Sequence, residues 1–277
     1  MQFAGVGSYP IYDIDNEIKY IPAANQHGSF LNRNAWYFND RHMGNISNWR
    51  QEKHPDILLI GNSIVLGGIP FNHDDKLSPL LEKDLGAATT VWSVAADGWS
   101  NVNEMVYLDR NPDVLQNTDT VIIEYMGRGL TAATPWLGYD VFPDRKTWLL
   151  TSYIVRKFLR GAIHGSIAND FASLRVTDGA DAAQLQRFKM LISSVSKDRN
   201  VVIFMYPTIF ELRDRSFWLE ATAPIRDLCR LNSLACIDVA QEPTWTESAY
   251  NKADGIHPTV AGNKVLASIL ARTVTNK

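Results

Sequence analysis

Short apolar runs rich in β-branched residues recur along the chain from residue 56 onward. They read DILLIG at 56–61, TVWSVA at 90–95, TVIIEY at 120–125, NVVIFMY at 200–206 and LACIDVA at 234–240. Runs of this length without regular polar alternation are typical of strands that are buried on both faces. The pattern therefore predicts five buried strands.

Stretches with apolar residues at helical spacing lie between these runs, at 78–85, 103–110, 182–198 and 261–274. Alternating strands and helices predict βαβ units, whose right-handed crossovers place helices on both faces of a parallel sheet. We therefore predict an α/β fold, a three-layer α/β/α sandwich with a mainly parallel five-stranded sheet. Ligands bind such sheets beyond the carboxyl ends of the strands.

Two segments depart from this alternation. Residues 1–50 are rich in Asn, Tyr, Trp and Gly, and they predict an irregular extension, with one short helix, packed on a domain that spans 51–277. The segment at about 128–180 is too long for a simple crossover and predicts a cap-like insertion. Aromatic residues in both segments can form a sugar-binding rim, although such residues more commonly pack in a core.

Composition and charge narrow the classes of function. Charged residues make up 21% of the chain and the formal net charge is −3, so we expect no nucleic-acid partner, since such binding depends on Lys and Arg. No apolar run approaches the ~20 residues of a membrane span. The opening MQFAGVGSYP lacks the basic and apolar segments of a signal peptide, but a start at Met1 can follow removal of a leader, so the compartment stays open.

The spacing of the two cysteines gives no indication of a metal site or a redox motif. Cys229 and Cys236 lie seven positions apart, without a CxxC pair or a nearby His cluster, so we expect neither a metal site nor a cofactor. The segment between them is typical of a helix running into a strand. We expect two buried core thiols, with pairing as the alternative in an oxidising compartment.

The segment IGNSIVLGG at 60–68 combines a strand end with the start of a helix. It places Ser63 at a helix N-terminus, where backbone N–H groups and the helix dipole stabilise a developing negative charge. The Ser63 amide can itself be one donor of an oxyanion hole. Taken alone, an ordinary N-cap serine is the more common interpretation.

The segment ADGIHPTVAGNKVLA at 253–267 places Asp254 and His257 three residues apart, immediately before the last predicted helix. A carboxylate at this spacing can fix the tautomer of the imidazole and stabilise the imidazolium that forms when it takes a serine proton. A capping Asp beside a surface His is the alternative. The position after the fifth strand favours a Ser63–His257–Asp254 triad.

Together, the two segments resemble the SGNH, or GDSL-type, hydrolase superfamily, which has a Ser after the first strand and a DxxH before the last helix. The resemblance covers roughly residues 55–275 and implies a flavodoxin-like sandwich. It also implies that Ser63 is the nucleophile, His257 the base and Asp254 its orienting partner. The family's second block has a glycine after the second strand, and SVAADGWSN offers Gly98 as an oxyanion-hole residue.

The third block departs from the family pattern, which is usually GxND and supplies an Asn donor. Here EYMGRGL aligns Gly127, but Arg128 and Gly129 follow it. Arg128 is a candidate replacement donor, a candidate contact for an acidic substrate group, or a salt-bridge partner of Glu124. The oxyanion hole thus predicted consists of Ser63 and Gly98 with Arg128 as a third candidate.

Further candidates lie near strand ends. As substrate-binding residues we name Asn62, Trp99, Asn101 and Arg128, together with Glu211 and Trp218. Three histidines, His54, His73 and His164, have no partner recognisable in sequence and are interpreted as surface or packed residues.

Two hypotheses for function follow. The first is a serine-dependent acyl-ester enzyme, either an O-acetylesterase or an O-acetyltransferase, that acts on a carbohydrate through an acyl-Ser63 intermediate. Its partners are an acyl donor and a carbohydrate acceptor, or an acetylated sugar. The second is a catalytically weak or inactive carbohydrate-binding scaffold protein with the same fold. The resemblance implies an extracytoplasmic location; the oligomeric state and compartment stay open.

Overall fold

The N-terminal residues form two β-hairpins in the computed structural model, which describes residues 5–50, 55–127, 129–164 and 181–275. Strand β1 (Tyr12–Asp15) pairs with β2 (Lys19–Pro22), and β3 (Gln26–Phe30) pairs with β4 (Asn34–Phe38), both antiparallel. The prediction of an irregular extension with a short helix is therefore wrong for this segment.

Turn geometry explains why the second hairpin is hard to read in sequence. Its turn places Leu31 and Asn32 at φ of 54° and 57°. Tight hairpin turns of this kind usually carry Asn-Gly or Asp-Gly, because those residues adopt positive φ easily. Leu-Asn gives no such signal, and the strands are only four or five residues long.

The hairpins contact both the sandwich and the segment at 129–149. The Tyr20 ring stacks on Phe142 at a centroid distance of 4.2 Å. The Tyr20 hydroxyl donates to the Asp97 carbonyl at 2.6 Å, and Trp99 Nε1 donates to the Tyr20 carbonyl at 2.8 Å. The N-terminal segment is thus fixed to the loop that follows the second strand of the central sheet.

The central sheet matches the five predicted runs. Its strands are β5 (Asp56–Gly61), β6 (Thr90–Ala95), β7 (Thr120–Tyr125), β8 (Asn200–Met205) and β9 (Ala235–Asp238). They are parallel, in the order β6-β5-β7-β8-β9. The predicted α/β/α sandwich is confirmed, and β5 lies at the point where the strand order reverses.

Helices cover both faces of the sheet. Their bounds are α1 (Ser63–Leu66), α2 (Leu77–Leu85), α3 (Asn101–Arg110), α4 (Pro112–Gln116), α5 (Leu150–His164), α6 (Ala182–Val195), α7 (Ile209–Arg213), α8 (Arg215–Leu231) and α9 (Val260–Thr275). Short 3₁₀ turns lie at His73–Asp75, Val239–Gln241 and Glu247–Ala249. Leu58 and Ile60 face the layer of α3, α6 and α8, whereas Ile57 and Leu59 face α2 and α9.

The predicted cap region is described only in part. Residues 129–149 have no regular helix or strand, and α5 follows them. The remainder, 165–180, lies outside the described residues, so the cap stays a prediction. Among the helices that are described, none is both long and apolar enough to span a bilayer.

The two cysteines form a disulfide, which corrects the expectation of two buried thiols. Cys229 lies near the end of α8 and Cys236 in β9, with their Cα atoms 6.1 Å apart. The Leu234 amide donates to the Cys229 carbonyl at 3.0 Å, so the chain folds back sharply after the helix. That turn brings the helix end against the edge strand.

Candidate active site

Ser63 is the first residue of α1, directly beyond the end of β5. The N-cap position belongs to Asn62, whose Oδ1 accepts from the Ile64 amide at 3.0 Å. The interpretation of Ser63 as an ordinary N-cap is therefore wrong, because Asn62 already caps the turn. This leaves the half-buried Ser63 side chain available for other partners.

A buried carboxylate supports the turn that carries Ser63. Glu124 Oε2 accepts from the Asn62 amide at 2.9 Å, and the Glu124 side chain is only 1% exposed. A Cβ atom at Gly61 would clash with that same oxygen. Gly61 is thus needed for the close approach between the strand end and the carboxylate, which fixes the backbone next to Ser63.

Ser63, His257 and Asp254 form one continuous hydrogen-bonded chain. His257 Nε2 lies 2.9 Å from Ser63 Oγ, and His257 Nδ1 lies 3.1 Å from Asp254 Oδ2. The carboxylate requires a donor at Nδ1, which leaves Nε2 as the acceptor for the serine hydroxyl. The arrangement has the hydrogen-bond geometry that proton transfer from a serine to an imidazole requires.

Backbone amides hold the Asp254 carboxylate in its charged form. Burial raises the pKa of Asp254, but hydrogen bonds from the Ile256 and His257 amides, at 2.8 and 2.9 Å, outweigh it. The His257 ring lowers it further, so the net pKa lies below the ordinary value. Asp254 is therefore ionised at neutral pH, and its stabilising contribution is lost only as the pH falls through that lowered pKa.

The loop that carries Asp254 and His257 is anchored to the neighbouring strand end. The Asn251 amide donates to the His257 carbonyl at 2.7 Å, and the Tyr206 hydroxyl donates to the Ile256 carbonyl at 2.7 Å. The Ile209 amide donates to the Gly255 carbonyl at 2.8 Å. The first bond closes the loop on itself, and the bonds from Tyr206 and Ile209 connect the loop to the segment that follows β8. Together they fix the position of His257.

A cavity of about 70 Å³ adjoins the Ser63 turn, lined by Asn62, Gly98, Gly127 and Gly129 among others. Gly98 has a φ of 74°, a backbone conformation that favours glycine. Arg128, the candidate third donor and substrate contact, lies outside the described residues. The structure therefore brings Asn62 and Gly98 to one cavity, while the oxyanion hole as a whole stays a prediction.

Trp99 and Asn101 also line this cavity, but the side-chain nitrogen donors of both residues are already bonded. The Trp99 ring is 1% exposed, and its Nε1 donates to the N-terminal segment as described above. Asn101 Nδ2 donates to Glu104 Oε2 at 2.8 Å and to the Glu124 carbonyl at 2.6 Å. Substrate contact by either side chain stays a prediction.

Glu211 and Trp218, the other two candidates for substrate binding, have structural contacts. Trp218 is 1% exposed, and its Nε1 donates to Asp238 Oδ1 at 2.8 Å, which places the ring in the core. Glu211 closes a capping box with Thr208 at the start of α7. Neither residue lines the cavity beside Ser63.

Of the three other histidines named above, only His73 has a side chain among the described residues. His73 packs edge-on against the Tyr37 ring, and burial together with the charge of Lys76 lowers its pKa to about 4. It is thus a packed histidine. His54 and the His164 side chain lie outside the described residues. Within the part that is described, no group of three or more His, Cys, Asp or Glu side chains could hold a metal ion.

Sequence patterns missed Glu104, which is buried beneath the same cavity on α3. Burial and the negative charge of Glu124 raise the pKa of Glu104 well above its ordinary value, although the Asn101 bond opposes the shift. A glutamate at the fourth position of a helix offers no sequence signal beyond its place on the buried helix face. Glu104 can therefore be a neutral acid at neutral pH.

Glu104→Gln is expected to raise the thermal midpoint by several degrees at pH 7 and to change it little near pH 4. The folded state holds a proton that the unfolded state releases above the ordinary pKa, so wild-type stability falls as the pH rises beyond that value. The amide removes this dependence. Thermal melts from pH 4 to 8 measure this pH dependence of the midpoint, with exposed Glu220→Gln as the control. If the midpoints of wild type and Glu104→Gln changed in parallel with pH, Glu104 would not be a neutral acid in the folded state.

Two solved structures have an architecture similar to that of this chain. The chain resembles the lipase/acylhydrolase from Enterococcus faecalis, with a TM-score of 0.51 and 15% identity over 80% of this chain and 95% of that chain. It also resembles TesA, with a TM-score of 0.50 and 14% identity over 80% of this chain and 98% of that chain. The sequence matches no protein-family model and no curated protein. The chain therefore shares the fold of these two proteins, with a five-stranded parallel sheet between two layers of helices.

Proposed function

We propose that this protein is a serine-dependent ester hydrolase or acyltransferase. The observation that carries the proposal is the continuous chain from Ser63 Oγ through His257 to Asp254, at 2.9 and 3.1 Å. It lies at the carboxyl end of β5, where the strand order reverses and where ligands bind in open α/β sheets. Solved neighbours of the same fold include a lipase/acylhydrolase.

The proposed reaction has two displacement steps. Ser63 Oγ attacks the acyl carbonyl carbon while His257 Nε2 takes the hydroxyl proton, and Asp254 stabilises the imidazolium. His257 then returns that proton to the departing alcohol, which leaves an acyl-Ser63 ester. Water or a sugar hydroxyl next gives its proton to His257 and attacks the acyl carbon, which releases Ser63 and restores its proton.

The proposed oxyanion donors are the backbone amides of Ser63 and Gly98. Ser63 lies at the first position of α1, where its amide is not used within the helix. Gly98 lines the cavity next to the turn. Each such donor is typically worth ~2.7–4 kcal/mol of transition-state stabilisation. Arg128 is the proposed third donor.

The acyl group that we propose is short, because the cavity beside Ser63 is small. Its volume of about 70 Å³ is roughly half that of a cavity that binds benzene, at about 150 Å³. A group of two to four heavy atoms fits such a space. We therefore propose that the substrate carries an acetyl group rather than a long-chain fatty acyl group.

Acyl-chain length gives a direct prediction. The kcat/KM for nitrophenyl esters is expected to fall at least tenfold from acetate to octanoate, because the longer chain finds no space beside Ser63. Initial rates over the series acetate, butyrate, hexanoate and octanoate measure it, with the Ser63→Ala protein as background. A rise in kcat/KM with chain length would contradict the proposed acyl site.

A carbohydrate is the proposed carrier of the acetyl group. Phe210 is 68% exposed, and its ring lies against Gly255 in the loop between Asp254 and His257. An exposed aromatic ring at this place can stack on the apolar face of a sugar. Phe210 is not among the candidates that the sequence indicates, although it lies only five positions beyond the end of β8.

The test compares acetate release from an aryl acetate with and without an oligosaccharide acceptor. Ser63-dependent release that is unchanged by the acceptor supports an esterase, whereas acetylated oligosaccharide supports a transferase.

The absence of an Asn in EYMGRGL favours the second candidate, a weakly active carbohydrate-binding protein. Equal acetate release by wild type and Ser63→Ala, together with oligosaccharide binding, would support that candidate.

A further inference from the structure

A second cavity lies between the N-terminal hairpins, the loop after α1 and the segment after β7. Its volume is about 140 Å³. Five aromatic side chains line it, from Tyr9, Tyr12, Trp36, Phe38 and Tyr153. Neither Ser63 nor His257 is part of its wall. No residue that lines it also lines the cavity beside the Ser63 turn, so the two cavities have separate walls.

A buried lysine lies in the wall of this cavity. Lys76 precedes α2 and is only 8% exposed. Its aliphatic stem packs against Gly67, just beyond α1. Within the described part of the chain, the Lys76 ammonium has no hydrogen bond and no ion pair. Burial of the lysine removes part of the hydration of its ammonium, which is unfavourable when no acceptor replaces the lost water.

The charge of Asp97 compensates only part of this loss. Asp97 also lines the cavity, and its negative charge favours the charged form of Lys76. Burial is the larger effect and lowers the pKa of Lys76 to about 8. At neutral pH the side chain is therefore still mainly an ammonium, with three N–H donors and a cavity beside it.

We propose that this cavity is a binding site for a small organic anion that consists of one six-membered ring and one carboxylate. The carboxylate accepts hydrogen bonds from the Lys76 ammonium. The aromatic side chains surround the ring, and 140 Å³ is close to the ~150 Å³ of a cavity that binds benzene. This inference does not depend on ester chemistry at Ser63.

Benzoate and its neutral analogue benzamide test the site by calorimetric titration at pH 7. Benzoate is expected to bind at least tenfold more tightly than benzamide, since its carboxylate forms an ion pair with the Lys76 ammonium, whereas benzamide offers only a neutral carbonyl. Lys76→Met keeps the stem and removes the charge, so it is expected to weaken benzoate binding about tenfold or more and to weaken benzamide binding less. Lys83→Met, at an exposed lysine of α2, the helix that Lys76 precedes, is the matched control.

Three outcomes would overturn the proposal: equal affinity for benzoate and benzamide, undiminished benzoate binding by Lys76→Met, or benzoate binding that disappears in Ser63→Ala. The last would assign benzoate to the triad instead. Should Lys76→Met fail to fold, magnetisation transfer in the wild-type protein decides the matter. Nuclear Overhauser contacts from the benzoate ring to Trp36 and the Lys76 methylenes are expected, and their absence at saturating benzoate contradicts the site.

Discussion

Ser63→Ala is expected to lower kcat/KM for an aryl acetate by on the order of 10⁵ to 10⁶ and to leave the thermal midpoint within about 2 °C. The side chain of Ser63 makes its short contact with His257, whose ring is 39% exposed. Loss of that contact leaves the imidazole accessible to water, so little stability depends on it. The nucleophile itself has no substitute among the groups that contact His257 Nε2.

Two further observations make this prediction specific. A fluorophosphonate is expected to add to Ser63 of the wild-type protein, with the modified peptide identified by mass spectrometry. Exposed Ser248→Ala is the control and retains wild-type activity. Turnover by Ser63→Ala above one hundredth of the wild-type rate would mean that Ser63 is not the nucleophile.

Asp254→Asn is expected to lower kcat by about 10⁴ while the loop keeps its conformation. The amide oxygen can still accept from the Ile256 and His257 backbone, which holds the turn. The amide nitrogen is a donor, however, so facing His257 Nδ1 it favours the tautomer with the proton on Nε2. In that tautomer Nε2 cannot accept the Ser63 proton.

Kinetics over pH 5 to 9 check the role of Asp254, because the effect must lie in kcat rather than in KM if the carboxylate orients the base. Exposed Asp198→Asn is the matched control. A rise in KM at unchanged kcat would instead assign Asp254 to substrate binding. Unchanged values of both parameters would exclude Asp254 from the triad.

The parts of the fold that the sequence predicts are those with local causes. The strands of the central sheet consist mainly of apolar residues, as in DILLIG, because parallel strands are covered on both faces. Ser63 and the Asp254–His257 pair were identified because both segments follow strands and precede helices. The carboxyl ends of neighbouring parallel strands meet at one edge, so order along the chain translates directly into proximity.

The parts that the sequence does not predict depend on distant partners. The role of Glu124 is an example, because its carboxylate supports the Asn62 amide across 62 positions. The second hairpin uses a Leu-Asn turn without a sequence signal. The Lys76 cavity exists only because residues of both hairpins lie opposite the loop after α1. Such contacts are set by tertiary packing rather than by periodicity.

The Cys229–Cys236 disulfide has a consequence for how the protein matures. It closes a loop of only seven positions between a helix end and the edge strand that follows it. The chain has two cysteines in all, so a single intramolecular pairing exists and oxidation cannot give a scrambled isomer. Formation of this cross-link within the 277 residues therefore requires an oxidant but no disulfide isomerase.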